Sequence, residues 1–190
     1  MQTAGIEDPL VLGLPRGGVP VAYETARVLG AALDILLVRK LGAPSQPELA
    51  IGAIGEDGAR VINNGALLEL RIDDDVLADI EKRERERLRE QTLALRVRKP
   101  IEISARNVIL IDDGLATGAT MIAAVQTVRA KSPASVTVAV PVAPPDSLVI
   151  VERYADRVYA LATLEPFGSV GAWYGDFRQV SDEDVRNMLA

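Results

Sequence analysis

A run of thirteen residues, VILIDDGLATGAT (108–120), combines groups that could bind two different parts of one small molecule. Asp112 and Asp113 directly follow four apolar residues, the pattern of a buried strand. A turn of mostly small side chains with two hydroxyls comes next and leads into a helical pattern: Gly114, Leu115, Ala116, Thr117, Gly118, Ala119 and Thr120. Backbone N–H groups of such a turn, at the start of a helix, can bind a phosphate. The carboxylates need another partner, and the vicinal hydroxyls of a sugar suit them. The run therefore predicts a ribose 5-phosphate site, although an Asp-Asp pair can also merely cap a strand–helix turn.

The composition limits the chemistry that is available. The 190 residues contain neither cysteine nor histidine, which excludes disulfides, thiolate nucleophiles, a serine-type triad and the commonest zinc ligands. The net charge of −6 argues against nucleic acid as the main partner. No apolar run is long enough to span a membrane, and the first residues lack a signal-peptide pattern. We therefore expect a cytoplasmic protein that uses carboxylates, basic groups, hydroxyls and backbone amides.

Five short apolar runs alternate with helical patterns along most of the chain. The runs are continuous, as in parallel strands covered on both faces, and lie at 10–14, 34–38, 108–111, 135–140 and 157–161. Helical patterns at 19–30, 119–131 and 144–155 separate most of them. This alternation predicts an α/β fold in a single domain, with a doubly wound, mainly parallel five-stranded sheet and helices on both faces. Because ligands bind beyond the carboxyl ends of parallel strands, Asp112 and Asp113 are in the expected place.

Residues 41–105 interrupt the alternation and predict an insertion. Residues 41–58 are rich in Gly and Pro and are interpreted as a flexible loop that leads into a hairpin around EDG (56–58). Asp73 to Asp75 supply cap candidates for one long charged helix that ends before Pro100. This helix is either a solvated helix on a thin apolar face or a surface for a homodimer or another partner. A small C-terminal hood is expected at about 162–190.

The thirteen-residue run resembles the PRPP-binding signature of the type I phosphoribosyltransferases, where PRPP is 5-phosphoribosyl 1-pyrophosphate. The signature has four apolar residues, two acids, two spacers, then a small residue, Thr, Gly, any residue and Thr; Gly114 departs from it, since the family usually has an aliphatic residue or serine there. LPRGG (14–18) stands where the family has its pyrophosphate loop, often with a strained peptide bond, and implies roles for Arg16, Gly17 and Gly18. VRK (38–40) ends the predicted second strand, where the resemblance implies that Arg39 and Lys40 contact pyrophosphate. Taken alone, PRGG could be just a tight turn and VRK plain surface charge.

The resemblance implies transfer of ribose 5-phosphate from PRPP to a nitrogenous base, with release of pyrophosphate, in nucleotide salvage. Mg²⁺ would be held mainly by PRPP and water, and closure of residues 41–58 would exclude water. Ala116, where hypoxanthine-guanine-type enzymes have an acid, favours an adenine-like purine over a pyrimidine, but PELAIGA (47–53) departs from the loop of adenine-type enzymes.

Two further residues are weaker candidates at the acceptor side. Glu48 is a candidate for proton handling. Trp173, in a C-terminal aromatic cluster, would stack on the base, with Tyr174 pointing elsewhere; the cluster could instead be a plug that closes the core. The alternative function is a regulatory protein of the same fold that binds PRPP or a nucleotide without catalysis.

Overall fold

The computed structural model describes residues 7–190. Residues 1–6, which belong to the N-terminal segment without a signal-peptide pattern, lie outside the described residues. Its main sheet has five parallel strands in the order β2-β1-β6-β7-β8. The strands are β1 (Pro9–Gly13), β2 (Ala32–Ile35), β6 (Asn107–Ile111), β7 (Ser135–Ala143) and β8 (Arg157–Thr163). The predicted doubly wound α/β fold is therefore confirmed.

Helices cover both faces of this sheet because successive strand residues point to opposite sides. Val11, Ile109 and Ile111 pack with Ala22 and Ala26 of α1 (Gly18–Leu29). Their strand neighbours pack on the other face against α4 (Ala119–Arg129) and α5 (Pro145–Val151), in a core that includes Leu10, Leu12, Val108, Leu110, Met121, Val125 and Val151.

The insertion contains a second sheet where we expected a loop. Strands β3 (Val38–Ala43), β4 (Gln46–Gly55) and β5 (Arg60–Ile62) are antiparallel in the order β3-β4-β5. The flexible-loop interpretation of residues 41–58 was wrong, although a hairpin does turn around EDG. Leu41, Ala43, Ile51 and Ile54 are buried, so their burial outweighs the Gly and Pro content that suggested a loop. The tip of the β3–β4 hairpin, residues 44–49, is exposed.

The predicted second strand also had the wrong end. It stops at Ile35, and Val38 begins β3 in the other sheet, so Arg39 and Lys40 lie inside a strand of the insertion and not at the end of β2. Two buried leucines, Leu36 and Leu37, make the apolar run continuous across this change of sheet. A run of hydrophobicity cannot reveal such a change, because both segments are buried.

A short helix, α2 (Asn64–Glu69), precedes the long charged helix α3 (Asp74–Leu95). Asp73 caps α3 by accepting a hydrogen bond from the Val76 N–H, as the sequence predicted. The helix buries a thin stripe formed by Leu77, Ile80, Leu88 and Leu95. This stripe joins the second sheet and α6 (Asp182–Leu189) in a second core. The residues 7–190 include no helix that is long and apolar enough to cross a membrane.

A buried cluster of charges fixes the end of α3. Arg96 donates hydrogen bonds to the carboxylates of Asp34 and Glu56 and to the carbonyl oxygen of Ile35. The side chains of these three charged residues are at most 11% exposed. The cluster therefore ties α3, β2 and the β4–β5 turn together where water cannot screen the charges.

Candidate active site

The acid pair lies where two central strands end at the same edge of the main sheet. β1 and β6 are hydrogen-bonded neighbours, and the Leu14 N–H donates to the Ile111 carbonyl oxygen over 2.8 Å just beyond their ends. The turn 15–17 and the acids Asp112 and Asp113 therefore leave the sheet side by side. This is the arrangement that the sequence predicted.

Gly17 and Gly18 are required by the close approach of the two segments. A Cβ on Gly17 would be 1.8 Å from Asp113 Oδ2, and a Cβ on Gly18 would be 2.7 Å from the Ile111 carbonyl oxygen. The peptide bond between Pro15 and Arg16 is cis. The PRGG turn (15–18) therefore packs closely against the acid pair and is more than a tight turn.

The two carboxylates are held close together without a cation. Burial, and then the charge of Asp113, raise the pKa of Asp112 to about 7. Burial also raises the pKa of Asp113. Among residues 7–190, no Lys or Arg forms an ion pair with either acid. The site therefore disfavours its own full ionisation and would gain from a ligand that supplies hydroxyl donors or positive charge.

The residues from Gly114 to Thr120 divide into a buried and an exposed part. The Leu115 side chain is 2% exposed and belongs to the main core, so we correct its assignment as a ligand contact: its side chain packs inside. We had expected glycine at position 114 to loosen the turn, and this expectation was wrong. It is buried, and a Cβ there would be 2.8 Å from Val170, so glycine lets the C-terminal segment pack closely.

The exposed part of the turn matches the predicted phosphate site. Ala116, Thr117 and Thr120 are exposed, and Gly118 adopts a φ of 78° that favours glycine. Ala119 then begins α4, so the positive end of this helix faces the turn. The Thr117 hydroxyl accepts a hydrogen bond of 3.4 Å from the Ala119 N–H. The turn thus offers exposed hydroxyls beside the positive end of α4, a combination that suits an anion.

Each basic residue that we predicted at the site has a carboxylate partner. Arg16 donates to Asp182 of α6 over 2.6 Å. Arg39 donates to Glu84 of α3 over 2.9 Å, and Lys40 donates to Glu48 over 3.0 Å. In the protein without ligand, acids from three different elements thus hold the cations.

Two cavities open beside these groups. The hood cleft, about 450 Å³, lies between the PRGG turn and the C-terminal segment and is lined by Arg16, Gly17, Asp113, Tyr174 and Phe177, among others. The hairpin cleft, about 500 Å³, lies between the β3–β4 hairpin and α3. Its lining includes Arg39, Lys40, Glu48, Arg83, Arg87 and Thr120. Glu48 therefore lines the same cleft as Thr120 of the turn 116–120, which we call the anion-binding turn, and does not line the cleft beside Asp113. The Glu48 side chain is 75% exposed.

The C-terminal segment reaches the acid pair through a residue that we had expected to point away. The Tyr174 hydroxyl donates to the Asp113 carbonyl oxygen over 2.6 Å. Burial, and then the charges of Asp113 and Asp112, raise the pKa of Tyr174 to about 12, so the hydroxyl keeps its proton. Its ring lies 5.0 Å from that of Phe177.

Trp173 has a different environment. It is 44% exposed, is not among the residues that line the hood cleft, and donates its indole N–H to the Phe167 carbonyl oxygen. The prediction that Tyr174 points elsewhere was wrong because residues Val170–Trp173 form a 3₁₀ turn, which changes the direction of each side chain.

A divalent metal ion fits this site only with help from a ligand. Residues 7–190 contain no cluster of three or more His, Cys, Asp or Glu side chains that could hold a metal ion. Two adjacent carboxylates with raised pKa values remain as donors, and Mg²⁺ commonly combines one or two carboxylates with ligand oxygens and water. The donor set therefore suits an ion that arrives with a phosphorylated ligand.

Comparison with known proteins agrees with this geometry. A family model described as "Phosphoribosyl transferase domain" matches residues 1–167. Two curated proteins, provisionally named phosphoribosyl transferases, from the CDC 1551 and H37Rv strains of Mycobacterium tuberculosis are 46% identical over 181 residues. The match covers 95% of this chain but only 41% of theirs, so the chain spans about two fifths of their length. The crystal structure of TT1426 from Thermus thermophilus is 48% identical, with a TM-score of 0.90, over 97% of this chain and 88% of that one.

Proposed function

Because this chain belongs to the phosphoribosyl transferase domain family, we propose that it transfers ribose 5-phosphate from PRPP to a nitrogenous base and releases pyrophosphate. We further propose that the base is a purine rather than a pyrimidine. One observation carries the proposal: within residues 7–190 Asp112 and Asp113 pair with no Lys or Arg, they pack against the PRGG turn, and the chain runs directly from them into the anion-binding turn 116–120. This order suits the hydroxyls and the 5-phosphate of one ribose.

In this mechanism the anion-binding turn orients the ribose, and the acids act on it directly. Amides and hydroxyls of residues 116–120 hold the 5-phosphate. Asp112 and Asp113, once ionised, accept hydrogen bonds from the ribose 2- and 3-hydroxyls. Their negative field also stabilises the positive charge that develops at the anomeric carbon as the bond to pyrophosphate breaks. Mg²⁺, bound with the substrate, would neutralise charge on the departing pyrophosphate.

The basic residues and the hood cleft serve the two other reacting groups. Arg16, Arg39 and Lys40 exchange their carboxylate partners for the oxygens of pyrophosphate. The base enters the hood cleft, where Tyr174 and Phe177 offer aromatic faces beside Asp113, and Trp173 stands on the same segment. The exposed hairpin tip excludes water when it closes, and this closure brings Glu48 from the hairpin cleft toward the base. As the bond to pyrophosphate breaks, the base nitrogen forms the new bond to the anomeric carbon and its proton passes to the Glu48 carboxylate.

The test is the double variant Asp112→Asn with Asp113→Asn. Loss of charged hydrogen bonds typically costs about 1.5–3 kcal/mol, so PRPP should bind about 10–100 times more weakly. The measurement is calorimetric titration with PRPP and Mg²⁺, together with a pyrophosphate-release assay over a panel of purines and pyrimidines. Asp74→Asn with Asp75→Asn is the matched control, because it removes the same charge from an exposed pair at the start of α3.

The outcomes separate the candidate functions. Unchanged PRPP affinity in the Asp112 and Asp113 variant would refute the assignment of the acid pair. PRPP binding without pyrophosphate release with any base would instead identify a regulatory protein that binds PRPP or a nucleotide. Release with a pyrimidine alone would overturn the preference for purines.

A further inference from the structure

The hairpin cleft contains more positive charge than the predicted pyrophosphate contacts account for. Its lining has four basic side chains and two acidic ones, Glu48 and Glu84, which makes a formal charge of +2 in a chain whose total is −6. Two of the basic residues, Arg83 and Arg87, belong to α3, a helix of the insertion. They are four residues apart, so they project from the same side of the helix.

Glu84 positions two of the three arginines that line this cleft. Its side chain is 14% exposed, and it accepts hydrogen bonds from Arg39 over 2.9 Å and from Arg87 over 2.6 Å. A guanidinium has five N–H donors, so one carboxylate leaves several donors of each arginine available. One acid thus holds two guanidiniums from two different elements beside the same cavity.

Arg83 differs from the other cations of the cleft because, across residues 7–190, it makes no ion pair. A lone exposed arginine would be ordinary. Here it lines a cavity whose lining also includes Thr120 of the anion-binding turn. A ligand phosphate at Arg83 would therefore displace no carboxylate.

We propose that Arg83 and Arg87 of α3 are ligand-binding residues that complete, with Arg39 and Lys40, a second anion subsite facing Thr120. The subsite takes a pyrophosphate-class group, either the pyrophosphate of PRPP or the terminal phosphates of a nucleotide. Four basic side chains, three of them guanidiniums with several donors each, can bind the oxygens of two linked phosphates, and guanidiniums bind phosphate oxygens in pairs. This inference rests on the proposed function for the position of the 5-phosphate on residues 116–120. It adds α3, a helix of the insertion, to the elements that bind the ligand.

The experiment uses Arg83→Gln and the double variant Arg83→Gln with Arg87→Gln. Arg83→Gln is the cleaner change because it breaks no ion pair within the part of the chain that the structure describes. The control is Arg85→Gln with Arg89→Gln, which removes two charges from the same helix on a different cavity. Calorimetric titrations with inorganic pyrophosphate, ribose 5-phosphate, PRPP and a nucleoside triphosphate, all with Mg²⁺, give the dissociation constants.

We expect the double variant to raise the dissociation constant of pyrophosphate at least tenfold and that of ribose 5-phosphate less than threefold, with the control near the parent for both. If the dissociation constant of PRPP also rises at least tenfold and that of the triphosphate does not, the subsite binds the pyrophosphate of PRPP. If the dissociation constant of the triphosphate rises and that of PRPP does not, the subsite binds a nucleotide. The inference is overturned if the parent binds no pyrophosphate, or if the control loses as much affinity as the double variant. If pyrophosphate binds as expected but neither ribose 5-phosphate nor PRPP binds the parent, the proposed function fails while the anion subsite stands.

Discussion

Asp34 with Glu56, and Asp112 with Asp113, are two pairs of carboxylates withdrawn from water, but within residues 7–190 only the first pair has a basic side chain as its partner. Arg96 lies between Asp34 and Glu56 and donates to both. At the edge of the main sheet, Asp112 and Asp113 have only each other, and the pKa of Asp112 rises to about 7. The first pair is complete in the folded chain and serves structure. The second lacks the partner that would relieve it, which is what a site reserved for a ligand requires.

The largest expected effect comes from removing the cation of the complete pair. Arg96→Met leaves Asp34 and Glu56 buried and uncompensated, so the free energy of unfolding should fall by about 3–5 kcal/mol. Urea denaturation measures this fall, with the exposed Arg89→Met as the control on the same segment. A loss below about 1 kcal/mol would mean that the Arg96 cluster is not the structural centre that its burial indicates.

An effect of opposite sign should follow at the acid pair. The folded protein binds a proton at Asp112 up to about pH 7, whereas an aspartate in the unfolded chain loses its proton near pH 4. Between these values the folded state binds more protons, so this group makes the protein less stable as the pH rises. Asp112→Asn removes the penalty and should stabilise the protein at pH 8 by up to about 4 kcal/mol, since the pKa lies roughly three units above its ordinary value and one pKa unit corresponds to about 1.4 kcal/mol.

Urea denaturation at pH 5 and pH 8 measures this difference. The gain should shrink toward pH 5, where Asp112 of the folded parent is already protonated. Asp75→Asn, in the exposed first turn of α3, is the control for the loss of one carboxylate. Equal stability of parent and Asp112→Asn at both pH values would show that Asp112 carries no penalty.

The smallest expected effect concerns the hydrogen bond that joins the C-terminal segment to the acid pair. Tyr174→Phe removes the donor to the Asp113 carbonyl oxygen and should lower the free energy of unfolding by about 0.5–1.5 kcal/mol. It should also weaken ribose 5-phosphate binding, because Asp113 loses a restraint. Trp173→Phe also removes a hydrogen bond to a carbonyl, that of Phe167, and should leave this affinity unchanged. The reverse ranking of the two variants would show that Trp173, and not Tyr174, supports the ribose site.

The parts that could be predicted from the sequence are those that local patterns determine. Continuous apolar runs identified the five strands of the main sheet, and Asp73 before an uninterrupted charged segment identified α3. The acid pair and the glycines of the PRGG turn came from a motif whose residue types have chemical roles. In each of these cases the evidence lies within about a dozen neighbouring residues.

The parts that could not be predicted depend on partners distant in the chain. Arg96 pairs with residues 62 and 40 positions away, and nothing in the sequence distinguishes it from the other arginines of its segment. The β3–β4 hairpin, unlike the hairpin around EDG, was missed because Gly and Pro outweighed the alternation of Leu41 with Ala43, which was the available signal. Tyr174 was misplaced because one 3₁₀ turn rotates the segment, and such a turn has no strong sequence signature.

The contact between Gly17 and Asp113 also limits how this protein can diverge. A side chain at position 17 would occupy the space of the Asp113 carboxylate, with 1.8 Å between the new Cβ and Oδ2. The two positions are 96 apart in the chain but share one small volume. A side chain at residue 17 would therefore force the Asp113 carboxylate to move or to be lost, so an enlargement of residue 17 also changes the acid pair. We therefore expect residue 17 to vary freely in gene copies whose acid pair no longer functions.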